Sequence, residues 1–129
     1  MYFKFRYFTD GCCDYTITLK NHQLSMKSYF VPSFKRTIDA QKATQFWDQV
    51  KAIQLETWKD SYNNSNLCDG VQWGVKVRTD FLIKKIEGSN DYPDGVFFVE
   101  ETPIFNQLID AVAFLLDDKN FLKDVEEEE

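Results

Sequence analysis

The first thirty residues alternate between apolar and polar side chains, and this alternation constrains the fold more than any other feature. Phe3, Phe5 and Tyr7 share one face of an extended chain, whereas Lys4 and Arg6 share the other. A period of two residues is typical of a half-buried β-strand. The start of the chain is therefore predicted to form a sheet with one face in the core.

Two further strands continue this pattern. Residues 10–11 are an Asp-Gly turn signal, and residues 15–19 alternate again after it. Asn21 and His22 can form a tight hairpin turn, because Asn tolerates a positive φ, and the chain then returns over residues 24–30. The pattern predicts a three-stranded antiparallel meander with His22 at a turn.

Two segments have helical periodicity instead. Residues 31–36 are interpreted as a connection to the first helix, in which apolar side chains recur at helical spacing over residues 40–53. Thr37 or Asp39 can cap this helix. A bend is expected near residue 54, with a further helical turn or two over residues 55–62. A second amphipathic helix is predicted from Pro103, which suits a first helical position, to residue 116.

A hairpin is predicted between the helices. Its strands are residues 71–77 and 81–86, and Gly74 leaves room on the polar face for a neighbouring backbone or a large side chain. Residues 88–95 have the composition of an ordered turn, in which the glycines at both ends provide unusual backbone angles. Residues 96–99 are predicted to add an edge strand.

The resulting fold class is α+β. We expect an antiparallel sheet of about five strands, in the order three-strand meander, helix, hairpin, helix, with the two main helices packed on one face. Residues 1–125 are expected to form a single domain, and the acidic residues 126–129 to form a disordered tail.

Composition narrows the classes of partner. The 129 residues carry a net charge of −6, which argues against direct nucleic-acid binding and favours a protein partner with a basic or mixed-charge surface. No apolar run approaches the roughly 20 residues that cross a bilayer, and the N-terminus lacks the pattern of a signal peptide. A cytoplasmic protein without a membrane partner is expected.

Little in the sequence points to catalysis. Cys12, Cys13 and Cys68 could ligate a metal with His22, but they lack the close-spaced pairs of zinc sites, so reduced thiols are the preferred interpretation. No nucleophile and base stand at a signature spacing, and the glycines are too scattered for a phosphate-binding loop. We therefore expect no enzymatic activity, no cofactor and no metal.

Residues 58–93 carry a combined pattern, W-x-x-x-Y, then D-G-x-x-W, then G-S-N-x-Y-P. With the flanking helices, the chain resembles over residues 38–116 a family of small uncharacterised bacterial proteins that has this pattern. The resemblance implies the fold more than a function. The matching residues are Trp58, Tyr62, Asp69, Gly70, Trp73, Gly88, Ser89, Asn90, Tyr92 and Pro93. The chain departs from the family pattern at DGVFFVEETP, which separates the Tyr-Pro pair from the last helix.

Small size, acidity, abundant aromatic residues and the absence of a catalytic set favour a non-enzymatic protein-binding module, of the immunity or inhibitor type found in bacteria and phages. The predicted interaction surface contains Asp91, Asp94, Phe97, Phe98, Glu100 and Glu101. The alternative is a small-ligand binder or an enzyme with an aromatic pocket between the central hairpin and the last helix. That pocket would contain Trp58, Trp73, Asn90 and Tyr92. A homodimer formed through a sheet edge or an aromatic sheet face is a third interpretation.

Overall fold

A computed structural model describes residues 1–9, 13–29, 31–63, 71–89, 93 and 103–122, and the strands among these residues form one seven-stranded sheet. The strands are β1 Tyr2–Thr9, β2 Cys13–Lys20, β3 Gln23–Ser28, β4 Phe34–Thr37, β5 Ser61–Asn63, β6 Val71–Arg78 and β7 Ile83–Ser89. Their spatial order is β4-β3-β2-β1-β6-β7-β5. Neighbouring strands are antiparallel except β5 and β7, which are parallel.

The first helix, α1, spans Ala40–Ile53 and has the predicted boundaries. The side chain of Asp39 accepts a hydrogen bond of 2.7 Å from the backbone N–H of Lys42, so Asp39 is the N-cap. Gln54 ends the helix in the left-handed conformation, with φ of 61°, and a single 3₁₀ turn at Leu55–Thr57 follows. Of the two predicted caps, Asp39 is confirmed whereas Thr37 is the last residue of β4, and the predicted bend is confirmed.

The second helix, α2, spans Pro103–Leu116, as its periodicity predicts. Its apolar stripe is buried, and Asp117 follows it with φ of 57°. The Arg36 guanidinium donates a hydrogen bond of 3.0 Å to the carbonyl oxygen of Leu116, which otherwise has no partner within the helix. The end of α2 is therefore fixed to strand β4.

Both helices pack on the same face of the sheet. Phe3 of β1 meets Phe46 of α1 edge to face, with ring centroids 4.9 Å apart, and Trp73 of β6 lies 4.8 Å from Phe105 of α2. These sheet residues share one face, because β1 and β6 pair in register with Tyr7 opposite Trp73. The predicted α+β class, with two helices on one sheet face, is confirmed.

The number and direction of the strands differ from the prediction of about five antiparallel strands. Residues 34–37, predicted as the end of a connection and a candidate cap, pair with β3 as β4, and residues 61–63, where the short helical segment was predicted to end, pair with β7 as β5. Both are short edge strands held by backbone pairing, and they are too short for an alternation of apolar and polar side chains to predict them. The sheet is consequently mixed and wider than predicted.

Gly88 corrects a second prediction. It lies inside β7 rather than in a turn, and its φ is outside the left-handed range. A Cβ atom at this position would lie 2.2 Å from the indole ring of Trp73, its cross-strand partner. Glycine is therefore required for space, and not for an unusual backbone angle.

The remaining fold predictions fall partly on other residues. The predicted edge strand at residues 96–99 and the predicted acidic tail at residues 126–129 lie outside the described residues. Among the described residues, no helix is both long enough and apolar enough to cross a membrane.

Asp117 provides a pH-dependent contact between α2 and the rest of the fold. A hydrogen bond from the Lys42 ammonium, with the positive charges of Lys42 and Arg36, lowers the pKa of this carboxyl below 3.8. Because the pKa is lowered in the folded state, the contribution is fully present above the unfolded value and is lost as pH falls through the folded value.

We expect Asp117→Asn to lower the free energy of unfolding near neutral pH by about 0.2–1 kcal/mol, the range of solvent-exposed ion pairs. The difference from wild type should shrink when urea unfolding is repeated below the folded pKa. Asp48→Asn is the matched control, because exposed Asp48 forms no ion pair with a described residue. An equal loss in both variants would contradict the assignment.

Candidate functional site

One face of the sheet has no helix against it in the described part of the chain, and we call it the open face. Side chains alternate between the faces of a strand, so the neighbours of the core residues in sequence lie here. Lys4 and Arg6 occupy this face, as the alternation of β1 predicts. Its cationic residues are Lys4, Arg6, Lys20, Lys27, Lys35, Lys76, Arg78 and Lys85. Its anionic residues are Asp14 and Glu87.

The positive sign of the open face is opposite to that of the whole chain. The net charge is −6, but 11 of the 21 acidic residues belong to the segments outside the described residues. The pleat of the sheet concentrates lysine and arginine on one surface, where their potentials add. The open face is therefore suited to a negatively charged surface.

Three lysines lie side by side on adjacent strands, and we call them the lysine row: Lys4, Lys76 and Lys85. Lys4 of β1 is paired in register with Lys76 of β6, which is paired in turn with Lys85 of β7. Directly opposed side chains have Cβ atoms about 5 Å apart, and like charges at that separation are destabilising. Lys85 has an ion pair of 3.7 Å with Glu87, whereas Lys4 and Lys76 form none with a described residue.

A shallow groove lies beside the lysine row, and its volume is about 840 Å³. Gly74 forms part of its floor, between Arg6 on β1 and Glu87 on β7. The charged residues that line the groove are Lys4, Arg6, Lys76, Lys85, Asp14 and Glu87. Neutral polar residues also line it, namely Ser61 and Asn63 on β5, Gln72 on β6 and Ser89 on β7. The groove can thus form hydrogen bonds with a ligand and bind its negative charges at the same time.

Apolar side chains stand at the ends of this polar surface. Phe8 lines the groove at the end of β1 and is 38% exposed. At the other end, Ile83 is 78% exposed, and the Arg78 guanidinium lies 5.4 Å from the centre of the Tyr2 ring. A partner that covers the open face would meet cations in the middle and apolar contacts at both ends.

The structure places the described members of the predicted aromatic pocket inside the core. Trp58 and Trp73 are 5% and 3% exposed, and their rings meet edge to face at 6.2 Å. Tyr62 stacks on Trp73 at 6.0 Å, and its hydroxyl accepts a hydrogen bond of 2.9 Å from the Lys59 N–H. The Trp73 ring also lies 4.8 Å from the Phe105 ring, so it packs between β6 and α2 within the core.

Other predicted site residues lie outside the described residues. This holds for Asn90 and Tyr92 of the predicted pocket and for the whole predicted interaction surface. The members of that surface are Asp91, Asp94, Phe97, Phe98, Glu100 and Glu101. Both predictions remain predictions.

The candidate metal ligands are equally untested as a group, because Cys12 and Cys68 lie outside the described residues. Cys13 is in β2, and His22 is exposed in the turn between β2 and β3. Within the described ranges, no three His, Cys, Asp or Glu side chains are close enough together to hold a metal ion.

The groove was missed at the sequence level, although parts of its signal were visible. The space at Gly74 and the polar face of β1 were both predicted, but nothing in the pattern says that β1 pairs with β6. That pairing brings Lys4 beside Lys76 and Arg6 beside Gly74. The site depends on strand order, which periodicity alone does not determine.

Comparisons of the chain with models of protein families, with curated protein sequences and with solved structures gave no match. The resemblance to a family with the W-x-x-x-Y and G-S-N-x-Y-P pattern therefore stays a prediction. Four of its six described members, Trp58, Tyr62, Trp73 and Gly88, form one packed cluster, as expected of residues that serve the fold.

Proposed function

We propose that this chain is a non-enzymatic binding module that recognises another protein through the open face of its sheet. The observation that carries the proposal is the concentration of cations on a broad sheet surface with no helix against it among the described residues. Exposed apolar residues at both ends, Phe8 and Ile83, add area that gains from being covered.

The chemistry of the groove supports binding rather than catalysis. Among the described residues, its lining contains ammonium, guanidinium, carboxylate, amide and hydroxyl groups and no histidine or cysteine. His22, the chain's one histidine, stands in the turn between β2 and β3 rather than in the groove. Immunity and inhibitor proteins act by covering a surface of the partner, and this requires neither a catalytic base nor a nucleophile.

A partner of mixed charge fits best. An acidic patch on the partner would face the open face, where it neutralises Lys4, Arg6 and Lys76. A basic patch could meet the acidic residues of the segment 91–101, which remain the predicted second surface. The positive open face would then bind the acidic patch of the partner, and the acidic segment 91–101 would bind its basic patch.

Site-specific photo-cross-linking tests this proposal. A benzophenone side chain is placed at Thr18, which is opposite Lys4 on the open face, and at Thr44, which is exposed on α1. Each variant is irradiated in a lysate of its natural source, and the partner is identified by mass spectrometry. We expect an adduct with a protein bearing an acidic patch from position 18 and none from position 44.

The purified partner should then form a complex of defined stoichiometry by light scattering. Charge reversal of the lysine row, Lys4→Glu with Lys76→Glu and Lys85→Glu, should abolish that complex, because three glutamates would then face the acidic patch of the partner. Adducts from position 44 alone, or adducts only between copies of this chain, would refute the proposal. So would a complex that survives the reversal.

A further inference from the structure

The presence of glycine at position 74 is not explained by the fold. Its φ is outside the left-handed range, and among the atoms of the described residues a Cβ there would meet only the carbonyl oxygen of Ile86, at an ordinary 3.5 Å. Gly88, two strands from β1, is the opposite case, because Trp73 leaves no space for its Cβ. A glycine that a strand interior does not require costs stability, and such positions often mark the close approach of another chain or a ligand.

The lysine row is a second feature that the fold does not need. Lys4 and Lys76 oppose each other without a described ion-pair partner, and Lys76 also opposes Lys85. Folding alone would be better served by a neutral or acidic residue at the middle position. An anion bound beside Lys76 would remove the repulsion that the free protein retains.

These two features adjoin each other. Gly74 and Lys76 are two positions apart on β6, so both face the groove, and Arg6 lies directly opposite Gly74. Gly74 has no side chain, so the main chain of a ligand can approach the sheet backbone between the side chains of Arg6 and Glu87. The lysines are then placed at one side of that ligand, across three adjacent strands.

We propose that the groove at Gly74 binds an extended acidic segment of the partner protein, with alternate carboxylates of that segment on the lysine row. This inference rests on the proposed function, whose partner it specifies. Alternate side chains of an extended chain project on the same side about 6.6 Å apart, while neighbouring strands are about 4.8 Å apart. Flexible lysine side chains accommodate that difference. An apolar residue at one end of the segment contacts Phe8.

The lining favours an acidic polypeptide over single-stranded nucleic acid. Single strands are bound by successive aromatic side chains on which bases stack, whereas the described lining of the groove has one exposed aromatic residue, Phe8. Asp14 and Glu87 also line it and would repel a phosphate at every nucleotide. A peptide can instead place hydroxyl or amide side chains beside those carboxylates.

Fluorescence anisotropy with defined probes tests the inference. The probes are an eight-residue peptide of alternating glutamate and serine, the same peptide with glutamine for glutamate, and an eight-nucleotide oligo-dT, each with one fluorophore. We expect the wild-type protein to bind the glutamate peptide at low ionic strength at least tenfold more tightly than either other probe. Affinity should fall as salt is added.

Variants locate the binding. Gly74→Trp fills the groove without changing charge and should weaken peptide binding at least tenfold. Lys76→Gln should weaken it by a similar factor. Lys35→Gln makes the same charge change on β4, outside the groove, and should alter affinity less than twofold. Lys76→Gln should also leave the melting temperature unchanged or raise it, because it relieves the repulsion in the row.

Three results would overturn the inference. The first is tighter binding of oligo-dT than of the glutamate peptide at equal ionic strength. The second is an equal effect of Lys35→Gln and Lys76→Gln, which would indicate a diffuse charge effect. The third is peptide binding only after Asp91, Asp94, Glu100 and Glu101 are neutralised, which would assign the groove to the chain's own acidic segment.

The two proposals fail separately. If Thr18 cross-links to an acidic partner but Gly74→Trp leaves the purified complex intact, the binding function stands and the groove assignment fails. If the peptide binds as expected but no partner cross-links at Thr18, the affinity of the groove for acidic peptides stands, whereas the protein-binding function fails and with it the assignment of that segment to a partner protein.

Discussion

Gly88→Val is expected to lower the free energy of unfolding by about 3 kcal/mol, the upper part of the range for overpacked cores. A Cβ atom at position 88 would lie 2.2 Å from Cε2 and Nε1 of Trp73. The indole cannot simply move aside, because Trp58, Tyr62 and Phe105 surround it. Relief would require displacement of the β6–β7 hairpin from α2. Urea unfolding followed by tryptophan fluorescence measures the loss.

Gly74→Val is the matched control on the adjacent strand. Within the described part of the chain its Cβ meets no atom closer than 3.5 Å, and valine is favoured over glycine in a strand, so we expect a change of less than about 1 kcal/mol, towards higher stability. A large decrease in the free energy of unfolding of Gly74→Val would contradict the conclusion that the groove has free space at Gly74.

A double-mutant cycle identifies the cause of the loss at Gly88. Trp73→Leu alone should cost about 3 kcal/mol, since it removes most of a buried indole. In the Trp73→Leu background, Gly88→Ala should cost at least about 1 kcal/mol less than in wild type, because the atoms with which the new Cβ collides are gone. Additive losses would show that Gly88 is constrained by something other than Trp73.

The parts of the fold that could be predicted are those with a local physical cause. The alternation of β1 reports which side chains face the core, and Asp39 and Gln54 set the ends of α1 through a cap and a left-handed residue. Pro103 begins α2 where its missing N–H costs nothing. Each of these depends on residues close together in sequence.

The parts that could not be predicted depend on long-range pairing. Strands β4 and β5 are short, and each is a strand only because β3 or β7 offers it an edge. The candidate site has the same origin, since Lys4 and Lys76 are 72 positions apart in the chain and adjacent in the sheet. Local pattern indicated an open polar face but gave no means of joining its parts.

The charge of the open face could not be predicted from the net charge of the chain either. A net charge of −6 argues for a basic partner only if the charges are evenly spread. The pleat of the sheet sorts them instead, since every second residue of β1, β2 and β6 is turned to the open face. The partner chemistry that we propose is therefore based on the local surface, and the interaction surface predicted within residues 91–101 stays a prediction.

Alanine substitutions along β1 are expected to divide into two alternating classes, and this tests the face assignment directly. Phe3→Ala and Phe5→Ala should each lower the free energy of unfolding by about 3–5 kcal/mol, because both side chains are fully buried. Phe3 also loses its contacts with Phe46 and Trp47 of α1, so part of that loss is the attachment of the helix.

Lys4→Ala and Arg6→Ala, at the intervening positions, should change stability by less than about 0.5 kcal/mol, as is usual for surface residues. Both should nevertheless weaken binding of the acidic peptide, whereas any Phe3 or Phe5 variant that still folds should bind it as wild type does. Stability and affinity would then vary out of phase along a single strand. If Lys4→Ala destabilised the protein as much as Phe3→Ala, β1 could not present separate core and binding faces, and the proposal that the open face is the recognition surface would fail.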